Sequence, residues 1–527
     1  MAALSALCRP FPQLRRWGVI LAVAVISATT PALGQSPPER VVDVIERPEF
    51  AHATWAMEFL DLETGEPVFG VNARKLMVPG STTKLLTMGT ALEVLGADHR
   101  FTTRVYRTGP IQDGVVEGDL VLVASGDPNL SGRERPDGTY AFNDIDHSYG
   151  GMPLETDPIT VVRDLARQVA AHGIRSVAGQ VIVDASLFPE GERDGGTGVT
   201  MGPLVINDNV VDVVVTPAAR TGEPATVTVT PETAYLRVQA HVTTSDAGTE
   251  MDVDQTEEDT EPSHHVLVVT GTVPAGGDPV NLRWRVPEPS RFGEIVFAEA
   301  LEEAGVRAIP RLASRTVDAD GLEEVQTDGM VVAEHVSLPL IQEAVVVLKT
   351  SQNLHASNLP LLLASLPEAG GDDRTGFDLE REWLEEAGLD LEGAAQGDGA
   401  GARAHFSPEF MTRYLALVAS KPWAAGFRAA LPVLGRDGTL VEVQVESAAA
   451  AAGQVHAKTG TYGVYDPLHR RLFITGKGLA GYMTTRSGRQ IAFAVYLNNL
   501  ALDDEDPASV AGEALGEIAA IAWEEIR

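Results

Sequence analysis

Cysteine is almost missing: the chain has 527 residues and one cysteine, Cys8. It sits in a leader-like start, so the chain beyond residue 34 has no disulfide, no thiol nucleophile and no thiolate metal site. Basic residues are scarce too, with 40 Lys and Arg against 74 Asp and Glu and a net charge of −34. A surface this negative repels phosphate backbones, so nucleic acid is a poor partner. No stretch after residue 34 approaches the roughly 18 apolar residues of a membrane span. Neither His-Glu-x-x-His nor a phosphate-binding Gly-Lys-Ser/Thr loop occurs, which removes the usual zinc-peptidase and nucleotide readings. His264-His265 stands beside Asp246 to Glu261, a run with eight acids and no Lys or Arg. That run reads as a mobile, solvated loop, and no metal is expected.

What remains is a globular composition, 44% hydrophobic and 22% charged, long enough for two or three domains. Arg9, Arg15 and Arg16 precede an apolar run from Trp17 to Ala28, and Ala32-Leu33-Gly34 ends it with small residues. Residues 1–34 therefore read as a secretory signal peptide, cut before Gln35. The expected location is outside the cytoplasm, in the periplasm or extracellular wall space. Trp55 to Leu62 and Val68 to Val71 read as a hairpin around Thr64-Gly65-Glu66-Pro67. Leu85, Leu86, Met88, Ala91 and Leu92 give a helix opening at Pro79-Gly80-Ser81. The far end mirrors this, with a hairpin over Gly478 to Leu497 and a helix from Pro507 to Ile526. Residues 95 to 335 between these ends are mostly β-like runs and read as inserted domains.

Three short motifs carry chemistry. Ser81-Thr82-Thr83-Lys84 opens the first helix. Positions i and i+3 share a face, so the Lys84 amine can reach the Ser81 hydroxyl. A serine is a poor nucleophile without an adjacent base, and a lysine serves once burial or a nearby cation lowers its pKa. Ser351-Gln352-Asn353 offers a hydroxyl to relay a proton and an amide to hold Lys84 and a substrate carbonyl. Lys458-Thr459-Gly460-Thr461 follows a strand-like run. There Lys458 adds a second ammonium near the first, Gly460 permits close approach, and Thr459 and Thr461, with Lys458, suit a terminal carboxylate. The N–H groups of Ser81 and Thr461 are candidates for an oxyanion hole. Each motif alone is common; the three in this order are the set of penicillin-binding proteins and serine β-lactamases.

Ser81 and Ser351 lie 270 residues apart. With that gap, the chain resembles the class C, low-molecular-mass penicillin-binding D-alanyl-D-alanine carboxypeptidases/endopeptidases (peptidase family S13). Gly118-Asp119-Leu120, Gly126-Asp127-Pro128-Asn129-Leu130 and Asn207-Asp208-Asn209 are similar to stretches of that family, as are Gly438-Thr439-Leu440 and Gly478-Leu479-Ala480-Gly481-Tyr482. Two features depart from it: Ala400 stands where a serine is common in Asp398-Gly399-Ala400-Gly401, and Tyr462 to Lys477 is longer than usual.

The resemblance implies an α/β fold, a transpeptidase/β-lactamase-like core of antiparallel sheet flanked by helices and interrupted by inserted β-rich domains. It implies a catalytic domain from 45–94 and 336–527, an inserted domain II from 95–200 and 286–335, and a nested β-rich domain III from 201–285. The implied catalytic set is Ser81, Lys84, Ser351, Asn353 and Lys458, with Thr459, Gly460 and Thr461 binding substrate and no cofactor. The substrate would be the stem peptides of peptidoglycan, and β-lactams would be covalent inhibitors. The rivals are a related serine esterase or β-lactamase-type hydrolase, and a non-catalytic wall-binding scaffold.

Overall fold

The computed structural model describes residues 36–258, 265–311, 326–366, 374–443, 450–502 and 506–527. The expected signal peptide and His264 lie outside the described residues.

A five-stranded antiparallel sheet is drawn from both ends of the chain. Its strands are β1 (Thr54–Asp61), β2 (Pro67–Val71), β3 (Val455–Asp466), β4 (Arg471–Thr484) and β5 (Gln490–Leu500), in the order β3-β4-β5-β1-β2. Five helices cover this sheet or lead into the site: α1 (Lys84–Val94), α2 (Leu340–Lys349), α3 (Asn353–Ala364), α4 (Pro408–Ala419) and α5 (Pro507–Glu525). The β1–β5 pairing sets Trp55 opposite Leu497 and Phe59 opposite Phe493.

Successive strand residues face opposite ways, and both faces are apolar. Trp55, Met57, Phe59, Phe493 and Val495 pack with Leu515 and Ile518 of α5. The alternate residues Ala56, Ala492, Ala494 and Tyr496 pack with Leu85 and Met88 of α1 and Met411 and Leu415 of α4. A sheet buried on both sides reads as nearly continuous hydrophobic sequence, as β5 does in Ile491 to Leu497. These cores form two separate apolar clusters, one on each face of the sheet.

Residues 102–336 build their own sheets. One runs Val331–Val336, Thr102–Arg107, Leu120–Val123, Val181–Asp184, with helices Thr160–Ala171 and Pro289–Glu303 alongside. A second is centred on Val210–Thr216, and a third orders Leu236–Ser245, His265–Pro274 and Asp252–Glu258. One further apolar cluster ties these together, from Val105 through Val213 and Phe292 to Val332. The fold is thus the mixed α/β type expected, with several sheets flanked by helices.

One expectation fails here in part. Residues 246–251 of the acidic run form the expected loop, but Asp252–Glu258 is an edge strand, paired antiparallel with His265–Pro274. The carboxylates stay exposed while the backbone takes its hydrogen bonds from the neighbour, so charge repulsion does not oppose pairing. His265 Nδ1 meets Glu257 at 3.1 Å.

Candidate active site

Ser81 does not lie in the α-helix itself. Gly80–Thr83 forms a 3₁₀ turn that feeds directly into α1 at Lys84. A 3₁₀ turn has three residues per turn, so positions i and i+3 eclipse. This places Lys84 Nζ 2.9 Å from Ser81 Oγ. Ser351 and Gln352 link α2 to α3, and Ser351 has a φ of +64°, the left-handed region that non-glycine residues seldom occupy. That bend aims two acceptors inward: Lys84 Nζ donates to Ser351 O at 2.8 Å and to Asn353 Oδ1 at 2.5 Å. Ser351 Oγ lies 3.0 Å from the same nitrogen.

These four contacts constrain the lysine. Ser351 O and Asn353 Oδ1 can only accept, so they claim two N–H groups. In the neutral amine, the remaining lone pair is left for the hydroxyls of Ser81 and Ser351. Lys84 is fully buried. Burial is the leading cause that brings its pKa down to about 7, against the pull of Asp194, Asp146 and Asp398.

The third motif lies on β3, where the sequence predicts it. Here glycine is required. A Cβ on Gly460 would fall 2.1 Å from Pro79 O and 3.0 Å from Ser81 N, and one on Gly80 would fall 2.6 Å from Thr461 N. The two glycines let the Ser81 turn press against the strand, bringing the backbone nitrogens of Ser81 and Thr461 to one narrow gap. Thr459 Oγ1 lies 2.6 Å from Thr439 Oγ1. Lys458 differs from expectation. Its side chain is wholly buried, and Nζ donates to Thr459 O at 2.9 Å. Its pKa is well below the usual lysine range, through burial first and then the proximity of Lys84 and Lys477. Its charge is therefore not presented to a substrate as an exposed lysine's would be.

Ser81, Ser351, Thr459 and Thr461 open on one cleft of about 1370 Å³. Ala400 is buried beside it, and Asp398 Oδ1 accepts from Ala400 N at 2.8 Å, holding the loop that carries the departure from the family.

Several supporting residues lie outside the candidate set that the motifs give. Asp194 accepts from Asn353 Nδ2 at 3.1 Å and from the N–H groups of Gly196 and Thr197 at 2.9 and 2.8 Å. This fixes the Asn353 amide so that its oxygen faces Lys84. Gln352, between Ser351 and Asn353, donates to Asp146 at 3.1 Å and Asp208 at 3.2 Å. Asp208 is a buried hub. It also accepts from Arg133, from His147 Nε2 at 2.8 Å and from His355 Nε2 at 3.0 Å. His355 Nδ1 meets Glu343 at 2.8 Å, and His147 Nδ1 meets Asp212 at 2.9 Å. Burial opposes a charge on His355, but Glu343 and Asp208 raise its pKa to about 9. Asp146, His147 and Asp208 come close enough to hold a metal ion. Their donor atoms are already engaged: the two carboxylates by Arg133, Gln352 and His355, and the His147 ring by Asp208 and Asp212.

This hub joins the inserted region to the Ser351 loop through charges that have no water to fall back on. Removing one partner of such a set costs roughly 3–5 kcal/mol, since the others stay buried and uncompensated. Asp208→Ala should therefore lower unfolding stability by about that amount in urea titration; an unchanged midpoint would refute the hub. The His355 contribution has a defined sign. Its folded pKa is raised from 6.5 to about 9, so this stabilisation is complete below pH 6.5 and lost as pH rises through about 9.

Residues 38–519 match the family described as the D-Ala-D-Ala carboxypeptidase 3 (S13) family. The chain is 29% identical to a D-alanyl-D-alanine carboxypeptidase of Actinomadura sp. (strain R39), over 92% of this chain and 87% of that one. It is 22% identical to the D-alanyl-D-alanine carboxypeptidase DacB of Haemophilus influenzae, over 82% and 83%. The crystal structure of penicillin binding protein 4 (dacB) from Haemophilus influenzae superposes with a TM-score of 0.69 at 18% identity, covering 92% of this chain and 99% of that one. The same protein complexed with a β-lactam gives a TM-score of 0.64 at 18% identity, with the same coverage. A match over this much of its length settles the lineage: the chain belongs to the D-Ala-D-Ala carboxypeptidase 3 (S13) family and is a serine peptidase.

Proposed function

We propose that the chain removes the terminal D-alanine from peptidoglycan stem peptides through an ester on Ser81, and that the same centre cleaves cross-bridges as an endopeptidase. The observation that carries this is the contact set of Lys84, whose amine touches Ser81 Oγ at 2.9 Å, Ser351 Oγ at 3.0 Å and Asn353 Oδ1 at 2.5 Å. Neutral Lys84 takes the Ser81 proton as Oγ attacks the penultimate D-Ala carbonyl. The N–H groups of Ser81 and Thr461 receive the developing oxyanion. The C–N bond then breaks, and the leaving amine takes the proton from Lys84 through Ser351. Water hydrolyses the ester and frees the enzyme. Thr459 and Thr461 hydrogen-bond the substrate's terminal carboxylate, with Gly460 leaving room for its backbone. β-Lactams present the same carbonyl in a strained ring and act as covalent inhibitors.

The wider organisation belongs to the same reading. Residues 45–94 and 336–527 form the catalytic domain, 95–200 and 286–335 domain II, and 201–285 domain III. The sheet drawn from both chain ends supports this. Residues 1–34 act as an export signal, and the enzyme works in the periplasm or extracellular wall space. No helix among the described residues is long and apolar enough to cross a membrane.

The test is incubation of the purified chain with pentapeptide and cross-linked muropeptides, followed by mass spectrometry. Loss of one alanine from the pentapeptide is expected. Intact pentapeptide after prolonged incubation, with no penicillin adduct on the protein, would sink the assignment.

A further inference from the structure

The cleft has a cation that the motifs do not account for. Lys477 on β4 pairs directly with Thr461 on β3. Directly opposed residues of an antiparallel pair project to the same side, and both line the cleft that holds Ser81. Lys477 Nζ donates to Thr461 Oγ1 at 2.7 Å. That bond has a consequence for the threonine: with its oxygen already accepting, the Thr461 hydroxyl proton is free to point into the cleft.

Three further observations bear on the ammonium. Among the described residues, Lys477 makes no ion pair, in a chain with 74 acidic residues. Its end lies against Gly512 of α5, where a Cβ would stand 3.4 Å from Lys477 Cε and 3.6 Å from Nζ, in ordinary contact. Burial lowers its pKa to about 8, with Asp506 pulling the other way, so near neutral pH it still carries a proton. Lys458, by contrast, is fully buried, with Nζ donating to Thr459 O. Among the described residues, the cleft therefore has one partly exposed lysine that makes no ion pair, placed next to the hydroxyl assigned to the substrate's carboxylate.

We propose, building on the reading of Ser81 as nucleophile and Thr459 to Thr461 as the docking edge, that Lys477 is a specificity-determining residue that binds the free carboxylate of the departing amino acid together with the Thr461 hydroxyl. The ligand class is an α-carboxylate one residue beyond the scissile bond. The departing D-alanine carries one, and so does the acylated centre of a cross-linking diamino acid with a free carboxyl. A charge-assisted contact of this kind is worth roughly 10- to 100-fold in recognition.

The experiment measures kcat/KM on a pair of acyl-D-Ala-D-Ala substrates, one with a free terminal carboxylate and one with a carboxamide, for the wild type, Lys477→Met and Lys477→Arg. The wild-type preference for the carboxylate should fall about 10- to 100-fold in Lys477→Met and recover in part in Lys477→Arg. Equal losses on both substrates would mean that Lys477 only supports the strand, and an unchanged preference would mean that it touches no substrate; either overturns the proposal. Benzylpenicillin labelling of each variant separates the two levels. If the wild type labels on Ser81 but the preference is unaltered, only the role of Lys477 fails. If the wild type neither labels nor turns over, the catalytic reading fails and this proposal with it.

Discussion

Ser81→Ala should give no covalent adduct with benzylpenicillin, where the wild-type chain gains one equivalent mapping to the Ser81 peptide. The same variant should lose carboxypeptidase turnover by on the order of 10⁶-fold, the scale seen when an acylating serine is removed. Intact-mass spectrometry reads the first result and alanine release the second. The reason is positional. Among the described residues, the hydroxyls on Lys84 Nζ are those of Ser81 and Ser351, and only Ser81 sits on the 3₁₀ turn beside Gly460 and Thr461. Alanine at 81 leaves that turn's backbone and the lysine's carbonyl partners in place, so the fold should persist and the loss should be chemical. An adduct that survives in Ser81→Ala would place the nucleophile elsewhere, with Ser351 the next residue to examine.

Lys84→Arg should slow acylation by roughly 10²- to 10⁴-fold, the usual worth of a general base. A guanidinium stays protonated at any working pH and cannot take the Ser81 proton. It is also bulkier than an amine, and position 84 is fully buried, so Lys84→Met serves as a second variant that removes the base without adding volume. The wild type supplies the pH signature. Burial brings the Lys84 pKa to about 7, so acylation should climb about tenfold per pH unit below 7 and level off above it. Both variants should lose that limb. Stopped-flow acylation by a chromogenic cephalosporin across pH 5 to 9 is the measurement. A variant that keeps the limb would show that another group, Lys458 foremost, is the base.

The chain's local pattern carries a large part of this. Ser-x-x-Lys, Ser-x-Asn and Lys-Thr-Gly are short, and each needs only its own backbone to place its side chains: a turn eclipses Ser81 with Lys84, and a bend turns Ser351 inward. The strands are legible for the same reason. Continuous apolar runs such as Ile491 to Leu497 reflect a sheet covered on both faces, and the helical spacing of Leu515 and Ile518 marks the helix that covers one of them. The run from Asp252 to Glu258 misleads because a charge-rich segment looks like loop, while an edge strand asks only for a backbone partner and leaves its side chains in water.

The tertiary structure decided what depends on residues far apart in the chain. Asp194 holds Asn353 from 159 positions away, and Asp208 reaches His355 from 147; nothing local marks Asp194 among the many solvated aspartates, and the Asn207-Asp208-Asn209 resemblance says nothing of what Asp208 touches. Lys458 reads as a carboxylate anchor because its motif says nothing of depth, and only packing shows it fully buried. Lys477 is one more residue in an over-long segment until strand register sets it opposite Thr461. Side-chain type and short-range spacing are enough to bring forward the groups proposed for the chemistry, since reactivity resides there. Depth, charge balance and the orientation of the supporting carboxylates arise from long-range contacts, and these exist only once the two ends of the chain have closed into one sheet.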